Sequence, residues 1–301
     1  MKRARIIYNP TSGREAIKKQ LPYILSRLED AGYETSCHAT KKAGCAKEAA
    51  ITAVERKYDL VVAAGGDGTL FEVINGLANK EYRPTLGIIP SGTTNDFARA
   101  MKIPRNIKAC CDILCGDYTR YIDIGQANEK YFINVAAAGT LTELTYEVPI
   151  KLKTVFGRLA YYFKGLQKLP FMKPKKVKIT YDDNVFEGEI LFFFICNSNS
   201  VGGYNRLAIK SKFDDGLFDL IIVEKMKLLR LITTGIKTLR GKHLKDAKVK
   251  YYQARNIAVE MENSPLNLDG EYAGKFPCEF SNLKHHFKLL APYSDTNNTN
   301  G

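Results

Sequence analysis

Gly65-Gly66-Asp67-Gly68-Thr69 stands directly after the apolar run Leu60-Val61-Val62-Ala63-Ala64. Glycines at such a turn bare backbone N–H groups and admit a phosphate closely, and a helix start beyond them favours negative charge. An aspartate in that cradle repels a phosphate unless a cation lies between them. These residue types point to a metal-bound polyphosphate, ATP with magnesium. A tight Asp-Gly hairpin is the bland reading of the same residues. The spacing of Leu70, Val73, Ile74 and Leu77 is helical rather than alternating and disfavours it.

Two further turns carry similar chemistry. Asn9-Pro10-Thr11-Ser12-Gly13 follows a strand-like run at 5–8, and Pro90-Ser91-Gly92-Thr93-Thr94-Asn95-Asp96 follows another at 85–89. Hydroxyls, an amide and a second carboxylate, Asp96, are thereby placed after strands. Each turn alone also reads as an ordinary helix N-cap.

The elements that must position these turns alternate along the first part of the chain. Strands are expected at 5–8, 33–40, 60–64 and 85–89, and helices at 16–28, 43–56, 70–78, 97–101 and 107–114. Repeated β-α units make a parallel sheet covered by helices on both faces, with ligands beyond the carboxyl ends of the strands. All three turns then fall on one sheet edge. From about residue 121 the pattern changes. Strand-like runs at 121–124, 131–136, 177–181, 185–196, 217–223, 249–252 and 257–260 surround helical patterns at 154–169 and 228–239. Such a succession favours an antiparallel sandwich and a second domain beginning near residue 125. The run 286–290 belongs to neither domain by pattern, and the polar tail from residue 293 is expected to be disordered.

The 301 residues are enough for about two domains. No apolar run approaches the roughly 18 residues of a membrane span, and the N-terminus leads into a strand instead of a signal core, so a cytoplasmic protein is expected. Seven cysteines, with Cys110, Cys111 and Cys115 clustered but without Cys-x-x-Cys pairs or a nearby histidine, read as free thiols and not as a zinc site. The histidines show no triad or metal spacing. A net charge of +13 calls for a polyanionic partner: nucleotide, nucleic acid or anionic membrane. Lysines interleaved with aromatic residues at 151–178, and a second basic stretch at 225–250, suit an anionic lipid surface. A solvated helix face is the alternative for either. Leu191-Phe192-Phe193-Phe194 reads as sandwich core or as a contact in a homodimer, core being the default.

Taken together, Asn9-Pro-Thr-Ser-Gly13, Gly65-Gly-Asp-Gly-Thr69, Pro90-Ser-Gly-Thr-Thr-Asn-Asp-Phe97 and Asp269-Gly-Glu271 resemble, in this order, the diacylglycerol kinase catalytic-domain lipid kinases. The likeness extends to Phe213-Asp-Asp-Gly-Leu217 and Asn197-Ser-Asn-Ser200, covers nearly the whole chain, and is closest to the soluble bacterial diacylglycerol kinases. The Gly-Gly-Asp-Gly core alone is shared with NAD kinases and phosphofructokinases. Phe71, Ser91 and Ala138 depart from the residues usual in that family.

The resemblance implies a three-layer α/β nucleotide-binding domain (residues 1–125, completed by 286–301) and a β-sandwich lipid-substrate domain (126–285), with the active site between them. It implies ATP contacts from Asn9, Pro10, Thr11, Ser12, Gly13, Thr40, Gly66, Asp67, Gly68, Thr69, Leu70, Phe71, Glu72 and Thr93. Asp67 and Asp96 would organise magnesium about the phosphates, and Glu271 would be the general base. A structural magnesium would sit on Asp215 and the carbonyls of Lys212 and Leu217. The implied reaction makes phosphatidic acid from diacylglycerol at the cytoplasmic membrane face, feeding phospholipid and lipoteichoic acid metabolism, by a peripheral enzyme with no nucleic-acid partner. Two rivals stand beside it: a kinase for another acceptor (phosphatidylglycerol, sphingoid base, ceramide or NAD), and a basic nucleic-acid- or membrane-binding module without catalysis.

Overall fold

The computed structural model describes residues 1–140, 172–200, 207–262 and 264–293. The chain divides into two compact units, one made of Met1–Ile122 with the segment from Phe287 onward, the other of Asp123–His286.

In the first unit β1 (Lys2–Tyr8), β2 (Tyr33–Ala39), β3 (Leu60–Gly65) and β4 (Thr85–Pro90) form a parallel sheet in the order β2-β1-β3-β4. Every residue of β3 is buried, which is why its sequence is continuously apolar and not alternating. The connecting helices are α1 (Ala16–Asp30), α2 (Cys45–Glu55), α3 (Asp67–Leu77), α4 (Asp96–Ala100) and α5 (Ile107–Leu114). Right-handed crossovers in this strand order put α1 on one face and α2 and α3 on the other. The packing agrees: α2 lies on α3, and α1 on α5. Helix α1 buries Ile17, Ile24 and Leu28. Cys110 and Cys111 of α5 are buried free thiols, which burial pushes up to about 12 and about 11.

The second unit is antiparallel. Its strands are β5 (Thr119–Ala127), which enters from the first unit, β6 (Lys130–Phe132), β7 (Val135–Gly139), β8 (Lys175–Tyr181), β9 (Asn184–Cys196), β10 (Phe218–Glu224), β11 (Val249–Ala254), β12 (Asn256–Met261), β13 (Pro265–Leu268), β14 (Glu271–Lys275) and β15 (Cys278–Leu290). They pair in the order β14-β13-β7-β9-β8-β12-β15, with β10 on β9 and β11 on β10. The long β9 changes partners along its length: residues 184–190 pair with β8, and its second half with β7 and β10. Leu191 and Phe193 there are buried, with Phe192 and Phe194 packed against the same cluster, so this run is core. Among the described residues of this unit one α-helix, α6 (Leu228–Leu239), follows β10. Strand β15 leaves this unit, and its Leu289 pairs in parallel with Leu86 of β4.

Three differences from the sequence pattern have physical causes. The run 131–136 is two strands, because the N–H groups of Ile133, Asn134 and Val135 donate to the Asp269 carboxylate and not to a neighbouring strand. Strands β13 and β14 were hidden by Pro265, Asn267, Gly270 and Gly274, which are poor strand formers. The run 286–290 is the end of a strand that starts at Cys278. The expected helix at 154–169, most of the basic aromatic segment at 151–178 and the tail from 294 lie outside the described residues. Among the described residues no helix is long and apolar enough to cross a membrane.

Candidate functional site

The turns after β1, β3 and β4 meet at the carboxyl edge of the first sheet. Asn9 N–H donates to the Ala64 carbonyl at 3.0 Å, and Ser91 N–H to the Gly65 carbonyl at 2.8 Å. Ser91 Oγ and Ser12 Oγ are 2.8 Å apart, so the unusual serine at 91 ties the first turn to the third. A Cβ on Gly92 would lie 2.5 Å from Gly66 Cα and 2.8 Å from Asn95 Oδ1, so backbone passes backbone here and no side chain fits. Asn95, at φ 51°, closes the third turn on itself: its Oδ1 accepts from Gly92 N–H and its Nδ2 donates to the Gly92 carbonyl. Asn9 does likewise for the first, accepting from Thr11 N–H and Thr11 Oγ1.

The turns after β1 and β3 wall a cavity of about 430 Å³ with the β2–α2 connection, and no residue of the turn after β4 lines it. Asn9, Pro10, Thr11, Ser12, Thr40, Gly66, Gly68, Thr69 and Glu72 of the expected nucleotide contacts line it. The volume lies in the range of small-ligand sites. Lys41, Lys42, Ala43 and Ala46 line it too and were not singled out from the sequence. The two cations directly after Thr40 were the available signal, since a polyphosphate site needs positive charge. Glu72 does something its position in the motif did not disclose. Its Oε1 accepts from Gly44 N–H at 2.8 Å and its Oε2 from Ala46 N–H at 2.9 Å. It therefore caps the α2 N-terminus, which has no cap of its own.

Gly13, Asp67, Leu70, Phe71 and Thr93 are not in the cavity wall. Leu70 points into the core, Thr93 is exposed, and Gly13 sits at φ 59° against Ser91. Asp67 is half-buried below the wall at the first turn of α3. Its Oδ2 accepts from Asn95 N–H and its Oδ1 from Asp96 N–H, both at 2.8 Å, so it fastens the third turn. Burial, and then the charge of Asp96, raise its carboxyl above the ordinary value, while the backbone donors work the other way. Two carboxylates close enough to repel, one of them partly desolvated, fit a divalent cation.

In the second unit the Asp269-Gly270-Glu271 turn joins β13 to β14. Asp269 Oδ2 accepts from Ile133 N–H at 2.7 Å, and its Oδ1 from Asn134 and Val135 N–H at 2.8 and 2.9 Å. Its own N–H donates to the Val135 carbonyl at 2.9 Å. Gly270, at φ 98°, donates to Asn267 Oδ1, and Glu271 is exposed at the head of β14. The motif Asn197-Ser-Asn-Ser200 supplies a buried network beside this anchor. Asn197 Nδ2 donates to the Asp123 and Ile133 carbonyls, and Ser198 Oγ to Asn134 Oδ1.

Asp215 accepts from Leu217 N–H at 3.0 Å, as in an Asx turn, between Lys212 and the start of β10. Behind it, fully buried Asp123 accepts from Gly216 N–H at 2.6 Å and His285 N–H at 2.7 Å. The charge of Asp215 raises both Asp123 and Asp219, although burial is the larger cause for each. Crowded carboxylates again suit a hard cation, which takes oxygen ligands. Among the described residues no cluster of three His, Cys, Asp or Glu side chains is set for a metal. Asp123 was missed in the sequence, although a charged residue inside the apolar run Tyr121-Ile122-Asp123-Ile124 is a signal of burial with partners.

The profile of the diacylglycerol kinase catalytic domain matches residues 3–127, and that of the YegS C-terminal NAD kinase beta sandwich-like domain matches 139–291. A diacylglycerol kinase of Bacillus subtilis (strain 168) is 53% identical over 294 residues, 97% of either chain. One from Staphylococcus saprophyticus is 50% identical over 292 residues, covering 97% of this chain and 96% of the relative. Among solved structures, a diacylglycerol kinase from Bacillus anthracis str. Sterne superposes with a TM-score of 0.76 at 26% identity over 97% of both chains. With an α/β unit whose glycine turns build one cavity and a β-sandwich unit after it, the chain belongs to the diacylglycerol kinase family of enzymes.

Proposed function

We propose that this chain transfers the γ-phosphoryl group of ATP to the free hydroxyl of diacylglycerol, giving phosphatidic acid. The observation that carries the reading is the cavity walled by the turns after β1 and β3 beside Lys41 and Lys42, with the turn after β4 fastened to both through Ser91 and Gly92. Phosphoryl transfer asks mainly for alignment and charge neutralisation, and both are available there. Backbone N–H groups of the glycine turns and the two lysines hold the phosphates. Asp67 and Asp96 would hold magnesium, which when bound offsets charge on the transferring group. Glu271 takes the hydroxyl proton as that oxygen begins to bond phosphorus. Asp269 acts through it by fixing the turn on which it stands. Asp215, with the carbonyls of Lys212 and Leu217, would hold a second, structural magnesium. The acceptor lives in a bilayer, so the enzyme works at the inner membrane face as a peripheral protein.

The test is phosphate transfer from labelled ATP to a panel of diacylglycerol, phosphatidylglycerol, a sphingoid base and NAD. Diacylglycerol is expected to be the acceptor. Asp67→Ala and Glu271→Ala are each expected to lower kcat by about 100-fold or more. Preferential labelling of NAD would overturn the lipid assignment, and undiminished turnover in Glu271→Ala would reject it as the base.

A further inference from the structure

Helix α6 carries its apolar stripe on the outside. A helix lying on a domain normally turns that stripe toward the core. Here Leu229, Ile232, Ile236 and Leu239, three or four residues apart along one face, are 79%, 41%, 50% and 60% exposed. The inward face contributes Leu231 and Thr234. A polar clamp does the rest of the fastening. The Asp246 side chain, 2% exposed, receives Arg230 Nε at 3.0 Å, Arg230 Nη2 at 2.7 Å, and Lys237 Nζ and Thr234 Oγ1 at 3.1 Å. With Leu231 and this ionic fastening holding the helix down, Leu229, Ile232, Ile236 and Leu239 have no role in the core.

Charge indicates what covers them. No acidic residue occurs between 225 and 245. Lys227, Arg240, Lys242 and Lys245 are exposed around the helix and form no ion pair among the described residues. A second copy of this chain would bring the same cations against these in a two-fold contact, an electrostatic penalty. An anionic bilayer accepts both the stripe and its rim.

We propose that α6 is an interfacial anchor, its Leu229–Ile232–Ile236–Leu239 stripe entering the acyl boundary of an anionic membrane while the flanking lysines and arginines engage headgroup phosphates. The inference rests on the lipid-acceptor reading above, since that substrate gives the enzyme reason to stay at a bilayer. The chain contains no tryptophan, so Ile236→Trp in the full chain is a single-site reporter. Its emission should shift to the blue with vesicles of phosphatidylcholine and phosphatidylglycerol, and not with phosphatidylcholine alone. In vesicle co-sedimentation, the double variant Leu229→Glu, Ile236→Glu should bind about tenfold more weakly or worse. Its thermal midpoint and its turnover of short-chain diacylglycerol dispersed in detergent should equal those of the unaltered chain. Unshifted emission, or equal vesicle binding by the double variant, overturns the anchor while leaving the kinase reading intact. A dimer that the double variant dissociates also overturns it, by assigning the stripe to contact between copies. Failure of the unaltered chain to phosphorylate dispersed diacylglycerol counts against the kinase reading and not against the anchor.

Discussion

Asp67 in the α/β unit and Asp269 in the β unit each fasten a glycine-bearing turn by accepting backbone N–H groups, yet they stand in opposite electrostatic conditions. Asp269 collects three donors, from Ile133, Asn134 and Val135. Asp67 accepts from Asn95 and Asp96 and is also helped by its own backbone N–H, yet burial and then the facing Asp96 carboxylate raise its pKa. On the proposed assignment, the contrast separates scaffold from chemistry. A carboxylate whose lone pairs are matched by donors holds a turn. One left with surplus negative charge is ready for a cation.

Removing the two groups should expose that contrast. Asp269→Ala leaves three buried N–H groups without an acceptor and should destabilise the chain by about 3–5 kcal/mol in urea unfolding. Asp67→Ala also loses two bonds but discards a desolvated, repelled charge, so its cost should be smaller, about 1–2 kcal/mol. A greater loss at 67 than at 269 would reverse the assignment of roles.

The smallest effect sharpens the electrostatic half. Asp96→Asn leaves the backbone donors of Asp67 in place and takes away one cause of its raised pKa. The Asp67 carboxyl resonance should then titrate at lower pH, though not at the ordinary value, because burial remains the larger cause. An acid that ionises later when folded holds its proton longer in the folded state. Stability therefore falls as pH climbs from the ordinary carboxylate value through the raised one, and the loss persists at neutral pH. In Asp96→Asn that fall should shrink by an amount on the order of 1 kcal/mol or less. An unchanged Asp67 titration would show that the two carboxylates do not interact.

Much of this was open to reading along the chain. Hydrophobic period alone located β1 to β4 and helices α1 to α6, because each repeats its pattern over several residues. The glycine turns were legible for the same local reason: a strand end, a flexible turn and a helix start are consecutive in sequence. What escaped was every function carried by a side chain reaching across the fold. Glu72 caps a helix that begins 27 residues before it, and Asp123 holds a turn 93 residues away. Lys41 and Lys42 belong to no motif, and reach the cavity wall because β2 lies beside β1.

The order of residues by itself determined the class of each half, the three turns and their place after strands, since these depend on spacing and on backbone freedom within a few neighbours. Only tertiary structure decided that Gly66 and Gly92 touch, that Asp269 interrupts the strand at 133–134, and that α6 shows its apolar face to the outside. Those outcomes turn on which distant donor, charge or surface comes within about 3 Å of a side chain, and periodicity holds no information about that distance.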